Sequence, residues 1–194
     1  MVRQILEDIR TAVIATVLLA MIVSGIYPVL VWGIAQGFFP SEANGSLIKK
    51  DGTTIGSRLI TQEFTGEAYF HPRPSAAGTG YDPMNSGGSN LGPLSGKLID
   101  TVKGRIMKYR TENALPEGTP IPTDAVTASA SGLDPHISPA NARLQAARVA
   151  QARGLSEEVV QRKIAARLEG RDLGILGEPR VNVLLMNLDL DRGK

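Results

Sequence analysis

The chain contains two histidines, and each stands beside a proline, as His71-Pro72 and Pro135-His136. Asp134-Pro135-His136 sets a carboxylate two positions from an imidazole, the pieces of a proton relay or of a metal fragment. Joined by a loop serine, Asp134 and His136 would make a hydrolase. A plainer role competes with this one and is favoured by the capping pattern: Asp134 and Ser138 satisfy turn and helix-start N–H groups, and His136 is held in the turn. Other nucleophile signatures are incomplete. Ser46 and Lys49 have the S-x-x-K spacing without its companion sequences, and Gly87-Gly88-Ser89-Asn90-Leu91 misses the last glycine of G-x-S-x-G by one position. Gly96-Lys97 ends like a P-loop, but Leu91 and Leu98 occupy the positions of its first Gly and its Ser or Thr. Ser86-Gly87-Gly88-Ser89-Asn90 could cradle an anion with backbone N–H groups; a glycine-rich turn is the commoner use of such a run.

Composition narrows the chemistry further. The 194 residues include no cysteine, which excludes disulfide frameworks, thiolate metal sites and cysteine nucleophiles. A formal charge of +2 gives no reason to expect nucleic acid as a partner.

The elements that must carry these residues begin with an apolar rod. No charged side chain occurs between Arg10 and Glu42, and the densest stretch, 12–35, reads AVIATVLLAMIVSGIYPVLVWGIA. As a helix it would be about 36 Å long, enough to cross a bilayer. Tyr27 and Trp32 lie towards its far end, where amphipathic rings favour the interface. The expected organisation is a short cytoplasmic N-terminus (1–11), one transmembrane helix (12–35) and an extracytoplasmic domain (36–194). Arg3 and Arg10 against Lys49 and Lys50 lean only slightly towards an inside N-terminus. Ala12, Thr16, Ala20 and Ser24 recur every four positions, and Gly33 and Gly37 repeat the spacing, a stripe suited to packing on a partner helix. Pro28 predicts a kink.

Beyond the rod, the pattern predicts a small α+β domain. Asp51-Gly52 between β-prone runs signals a hairpin, and Leu59-Ile60 and Tyr69-Phe70 read as strand or packing segments. The Gly- and Pro-rich stretch 71–93 reads as an ordered loop. Leu98, Val102, Ile106 and Tyr109 stripe a helix over 94–110. Ser138 with Pro139 starts the best-marked helix, which Gly154 stops. Ser156 opens another that carries apolar residues to Leu168 before Gly170. The last segment, 181–190, is apolar on both faces and then alternates, which reads as a strand entering a sheet.

Three long runs resemble a known family: YFHPRPSAAGTGYDPMNSGGSNLGP (69–93), AVTASASGLDPHISPANARLQAARVAQARGL (125–155) and GEPRVNVLLMNLDL (177–190). Together with the single N-terminal span, they are similar to the C subunits of bacterial Kdp potassium-transporting ATPases over nearly the whole chain. The resemblance implies an inner-membrane complex for potassium uptake. Its partners would be a channel-like A subunit, a P-type B subunit that hydrolyses ATP and a small F subunit. The C subunit would be single-pass and extracytoplasmic, would bind no cofactor firmly and would be needed for assembly and activity. The family has also been described as a catalytic chaperone that raises the B subunit's affinity for ATP, which marks Ser86, Gly87, Gly88, Ser89 and Asn90 as a nucleotide loop. No Asp-Lys-Thr-Gly-Thr phosphorylation sequence occurs, so this chain is not expected to be the pump's catalytic subunit. The reading placed first is structural and gating: the stripe packs on a partner helix while the head caps the channel subunit.

Overall fold

The computed structural model describes residues 1–192, so the last two positions of the expected domain lie outside the described residues. The chain forms two compact units, Met1–Leu47 and Ile48–Lys194.

The first unit is mostly one apolar helix, Val2–Phe38, with no buried residue along it. It comprises α1 (Val2–Ala20), a π-helical segment (Met21–Ile26) and α2 (Tyr27–Phe38). The disturbance expected at Pro28 appears as this π segment. Pro28 brings no N–H to the ladder, and a wider turn precedes it, with the Tyr27 N–H donating five residues back to Ile22 O. Phe39 (φ −133°, ψ 53°) ends the helix, and the single turn α3 (Pro40–Ala43) follows. The Asn44 side chain locks this corner, donating to Gln36 Oε1 at 3.0 Å and to Pro40 O.

The second unit is the α+β head. β1 (Leu47–Lys50) and β2 (Thr53–Ser57) form the expected hairpin. Its two-residue turn has positive φ at both positions, Asp51 at 51° and Gly52 at 79°, as a type I′ turn requires. A separate antiparallel sheet has the order β3-β5-β4, from β3 (His136–Ile137), β4 (Leu168–Glu169) and β5 (Arg180–Asn182). Around it stand α4 (Gly96–Glu112), the short α5 (Thr123–Val126), α6 (Pro139–Arg153), α7 (Glu157–Ala166) and α8 (Val183–Arg192).

Local chemistry explains most of these ends. Ser138 Oγ accepts the Asn141 N–H at the start of α6, Pro139 takes the first position, and Gly154 closes the helix in the left-handed region at φ 65°. Ser95 caps α4 in the same way, accepting from Leu98 N. The α6 face buries Ala142, Ala146, Val149 and Ala150 against Val160 and Ile164 of α7 and against Val181, Val183, Met186 and Leu190. Tyr109 of α4 and Val126 of α5 belong to a second cluster.

Two expectations are corrected. The segment 181–190 is not a long strand: β5 ends at Asn182, and α8 begins at Val183. Asn182 Oδ1 accepts the Leu185 N–H at 3.1 Å, capping the new helix, and the buried set Val183, Leu184, Met186, Asn187 and Leu190 has helical spacing. α7 stops at Ala166, because Leu168 and Glu169 leave to pair with Val181 and Arg180. Of the two segments read as strand or packing, Tyr69-Phe70 is a packing segment, with Phe70 filling the core without exposed surface, and neither is a strand.

Candidate functional site

The loop 71–93 is irregular, yet its 75–87 part is tied down by hydrogen bonds. Ser75 Oγ donates to Gly132 O at 2.6 Å and accepts the N–H groups of Ala77 and Tyr81. Tyr81 OH donates to Arg73 O, and its partial burial, with Glu63 nearby, raises the phenol pKa to about 12. Further along, the Gly87 N–H and the Ser86 hydroxyl both donate to Ser131 O, at 2.9 and 3.0 Å.

Two glycines make this approach possible. A Cβ on Gly132 (φ 68°) would lie 2.6 Å from Ala77 N and 2.7 Å from Gly87 O, and one on Gly88 would lie 2.9 Å from Ala130 O. The Ser86–Gly88 backbone is thus fastened to the 130–132 turn, with Ser89 and Asn90 exposed beyond it. A phosphate cradle would need outward N–H groups and a cation. Here the Gly87 N–H faces inward, and 84–92 contains neither Lys nor Arg.

The start of the same loop is held by two side-chain amides that sequence reasoning missed. Asn187 of α8 accepts the Phe70 N–H at 2.8 Å and donates to Phe70 O at 3.0 Å. Gln145 of α6 accepts the His71 N–H at 2.7 Å and donates to His71 O at 3.1 Å. Each amide does for one residue what a neighbouring strand would do, so the extended segment crosses the core with its polar groups satisfied. Arg148 joins this network through Asn113, Gln145 and the carbonyls of Glu67 and Tyr69. The available signal was faint: Gln145 falls on the apolar face of α6, four residues from both Asn141 and Val149.

Beside this segment lies a cleft of about 290 Å³ lined by His71, Tyr81, Arg105, Lys108, Glu112 and Gln145 among others. Burial, reinforced by the Arg148 charge, lowers the His71 pKa against the opposing pull of Gly66 O and Glu112. The fold therefore favours the neutral form of His71. Its stabilising contribution is complete above its unfolded value of about 6.5 and is lost as pH falls through the lower folded value.

The Asp134–His136 pair exists, but in a setting the sequence could not show. Asp134 Oδ1 accepts the His136 backbone N–H at 3.0 Å and sits 3.4 Å from the ring Nδ1, while Oδ2 accepts from Arg73 at 3.0 Å. Burial raises the Asp134 pKa, but the hydrogen bonds from His136 and Arg73 outweigh it and hold the carboxyl below its ordinary range. The far ring nitrogen, Nε2, faces Glu169 Oε2 at 3.6 Å, and Arg180 donates to the same oxygen at 3.1 Å. Glu169 sits on β4, so the imidazole bridges the two edge strands across β5. The hydroxyls of Ser75, Ser86 and Ser138 donate to Gly132 O, Ser131 O and Asp124 respectively, so each is engaged elsewhere. The nucleophile–base pair that a hydrolase needs is not assembled from these residues. No group of three or more metal-ligating side chains gathers among the described residues.

On the long helix, the π segment bears on the small-residue stripe. In an unbroken α-helix the row through Ala12, Thr16, Ala20 and Ser24 would continue to Pro28 and Trp32. A π segment of this length takes up about one extra residue, which brings the row onto Gly33 and Gly37. All six positions thereby fall on one ridge, and a Cβ on either glycine would meet nothing within 4 Å inside the chain.

The comparisons agree with this architecture. A family model described as "K+-transporting ATPase, c chain" matches residues 9–192. A protein of Koribacter versatilis named "Potassium-transporting ATPase KdpC subunit" is 54% identical over 185 residues, covering 95% of this chain and 94% of its own. One of the same name from Rhodospirillum rubrum is 56% identical over 189 residues, with 96% of each covered. Another from Mycobacterium bovis is 52% identical over 190 residues, with 98% of each covered. With the match running from the apolar helix to the end of α8, the chain belongs to the KdpC family, the c chains of potassium-transporting ATPases.

Proposed function

We propose that the chain is a non-catalytic accessory subunit, anchored by one helix in the bacterial inner membrane, whose extracytoplasmic head supports assembly and potassium transport. Its partners are the channel-like A subunit, the P-type B subunit and the small F subunit of the complex. The observation that carries this reading is the pairing of a 37-residue apolar helix that buries none of its residues with a head whose loops are closed by their own hydrogen bonds. Such a head acts through its outer surface, as rigidly presented loops commonly do.

The same observation bears on the two competing ideas. A nucleotide role would require Ser86–Asn90 to face cytoplasmic ATP, whereas this loop is fastened inward and stands in the head. A hydrolase would require a serine against His136, whose ring faces Asp134 and Glu169 instead.

The test targets the ridge. Ala20→Leu and Gly33→Leu each place a bulky side chain where close backbone approach is expected. Either variant should reduce co-purification of this chain with the other subunits about tenfold, at unchanged expression and unchanged thermal midpoint of the head, for a packing loss of about 1.4 kcal/mol. Unchanged yield with both variants would remove the ridge from the interface.

A further inference from the structure

The hairpin of β1 and β2 and the end of α8 enclose a cavity of about 250 Å³, lined by Lys49, Lys50, Ile55, Leu188, Asp191 and Arg192. Ile55 and Leu188 are half-buried and give it an aliphatic floor, while Lys49, Lys50 and Arg192 stand exposed around it.

The charges on this lining do not cancel. Asp191, its one acid, lies 2.9 Å from the Arg153 guanidinium and accepts from the Tyr69 hydroxyl at 3.4 Å. Among the described residues, no carboxylate pairs with the side chains of Lys49, Lys50 or Arg192. Three like charges gathered on one cavity repel one another, and an anion placed among them relieves that repulsion. Lysines on an outer strand also serve to block unwanted strand pairing. That accounts for Lys49 and Lys50 on β1 but not for Arg192, which α8 brings to the same lining from the far end of the chain.

Position and shape select the anion. β1 begins nine residues after Phe38, the last residue of the apolar helix. Asn44 is fastened to Gln36 of that helix at 3.0 Å, and Lys49 follows Asn44 by five residues. Covalent reach alone keeps the Lys49 backbone within about 18 Å of this fastening, however the head is turned. The headgroup layer of a leaflet is about 5–8 Å deep, and its surface potential extends about 8 Å further. The cations therefore follow the span closely enough to meet lipid phosphates on the side where the helix emerges. A free phosphate ion would leave the aliphatic floor unused. A phospholipid brings phosphate oxygens for the cations and a glycerol and acyl end for Ile55 and Leu188.

We infer that this cavity holds the headgroup of an anionic phospholipid, with Lys49, Lys50 and Arg192 around the phosphate. The inference rests on the apolar helix crossing a bilayer and not on which subunits the chain meets.

The test is native mass spectrometry of the full-length chain in detergent. It is titrated with dioleoyl phosphatidylglycerol, with dioleoyl phosphatidylcholine of the same acyl chains, and with inorganic phosphate as competitor. The anionic lipid should give one retained adduct at concentrations where phosphatidylcholine gives none. Lys49→Gln combined with Lys50→Gln should weaken that adduct about thirtyfold at an unchanged thermal midpoint, the factor carried by two lysines at a lipid surface. Lys97→Gln combined with Lys103→Gln removes the same charge from exposed positions of α4 and should leave the adduct unchanged. Equal weakening by the two pairs would reduce the effect to overall charge and overturn the inference. Equal binding of phosphatidylcholine, or full displacement by inorganic phosphate at the lipid's own concentration, would overturn it too. If the Lys49/Lys50 pair of substitutions loses the other subunits on co-purification but keeps the lipid, the lining is a protein contact and the inference is wrong. Incorporation of the unaltered chain into phosphatidylcholine nanodiscs is scored separately. Failure there would remove the anchor itself, whereas incorporation without selective lipid retention would remove the lipid site alone.

Discussion

Asn187→Leu is expected to lower the thermal midpoint of the head by about 8–16 °C, with the chain otherwise intact in detergent. Asn187 is 1% exposed and makes both hydrogen bonds that Phe70 offers, so leucine would leave a donor and an acceptor stranded in the core. Each stranded group costs about 1–3 kcal/mol, so roughly 4 kcal/mol is lost in all. For a protein of this size that corresponds to about 2–4 °C per kcal/mol. The added apolar volume does not compensate, because leucine restores neither bond. A shift below about 2 °C would mean that the Phe70 segment does not depend on the amide. Gln145, which serves His71 in the same way, is a second site for the same reasoning.

Gly132→Ala should be nearly as damaging, for a different reason. The residue needs positive φ, and its missing side chain lets the Ala77 and Gly87 backbones close in to within 2.6–2.7 Å of where a Cβ would stand. Backbone atoms cannot swing aside as a side chain end can, so the 75–88 loop must detach locally. We expect a loss of about 3 kcal/mol, the range of single substitutions that strain a special backbone position in a packed setting. Gly154 provides the control: its φ is similar at 65°, but nothing lies within 4 Å of its Cβ position. Gly154→Ala should therefore cost only about 1 kcal/mol, and the gap between the two variants in chemical denaturation measures the close approach alone. Equal losses would mean that backbone strain is the whole effect and the clamp contributes nothing.

How much of this was legible in the sequence depended on the range of the interactions involved. The hairpin at Asp51-Gly52 and both ends of α6 were readable, because Asp-Gly, Ser138-Pro139 and Gly154 act on backbone within a few residues of themselves. The irregularity of 71–93 was readable for the same local reason, its density of Gly and Pro. The last segment was misread because a run apolar on both faces fits a buried strand and a buried helix alike. Asn182, which could have marked the change as an N-cap, sits inside the run and looks like one more alternating polar residue. The roles of Gln145, Asn187 and Glu169 were out of reach, since each meets residues 33 or more positions away. Likewise, Asp134 and His136 were correctly placed side by side, but whether a serine or a carboxylate completed the group depended on how the β3-β5-β4 sheet assembled.

The glycine run 86–90 illustrates the same limit from the side of function. Its residue types suit an anion cradle as well as a tight turn, and only the carbonyl of Ser131 and the backbone of Ala130 distinguish the two. Seen in the fold, its glycines answer to a neighbouring chain segment.

The most direct measurement for the accessory reading is the side of the membrane on which this loop stands. The chain has no cysteine, and Met84 is 87% exposed, so Met84→Cys gives a single reactive thiol two residues before the Ser-Gly-Gly run. Added to intact, energised cells, a membrane-impermeant maleimide should label this thiol as fully as it does after permeabilisation. Labelling that appears only once the membrane is opened would place the head with cytoplasmic ATP and contradict the account.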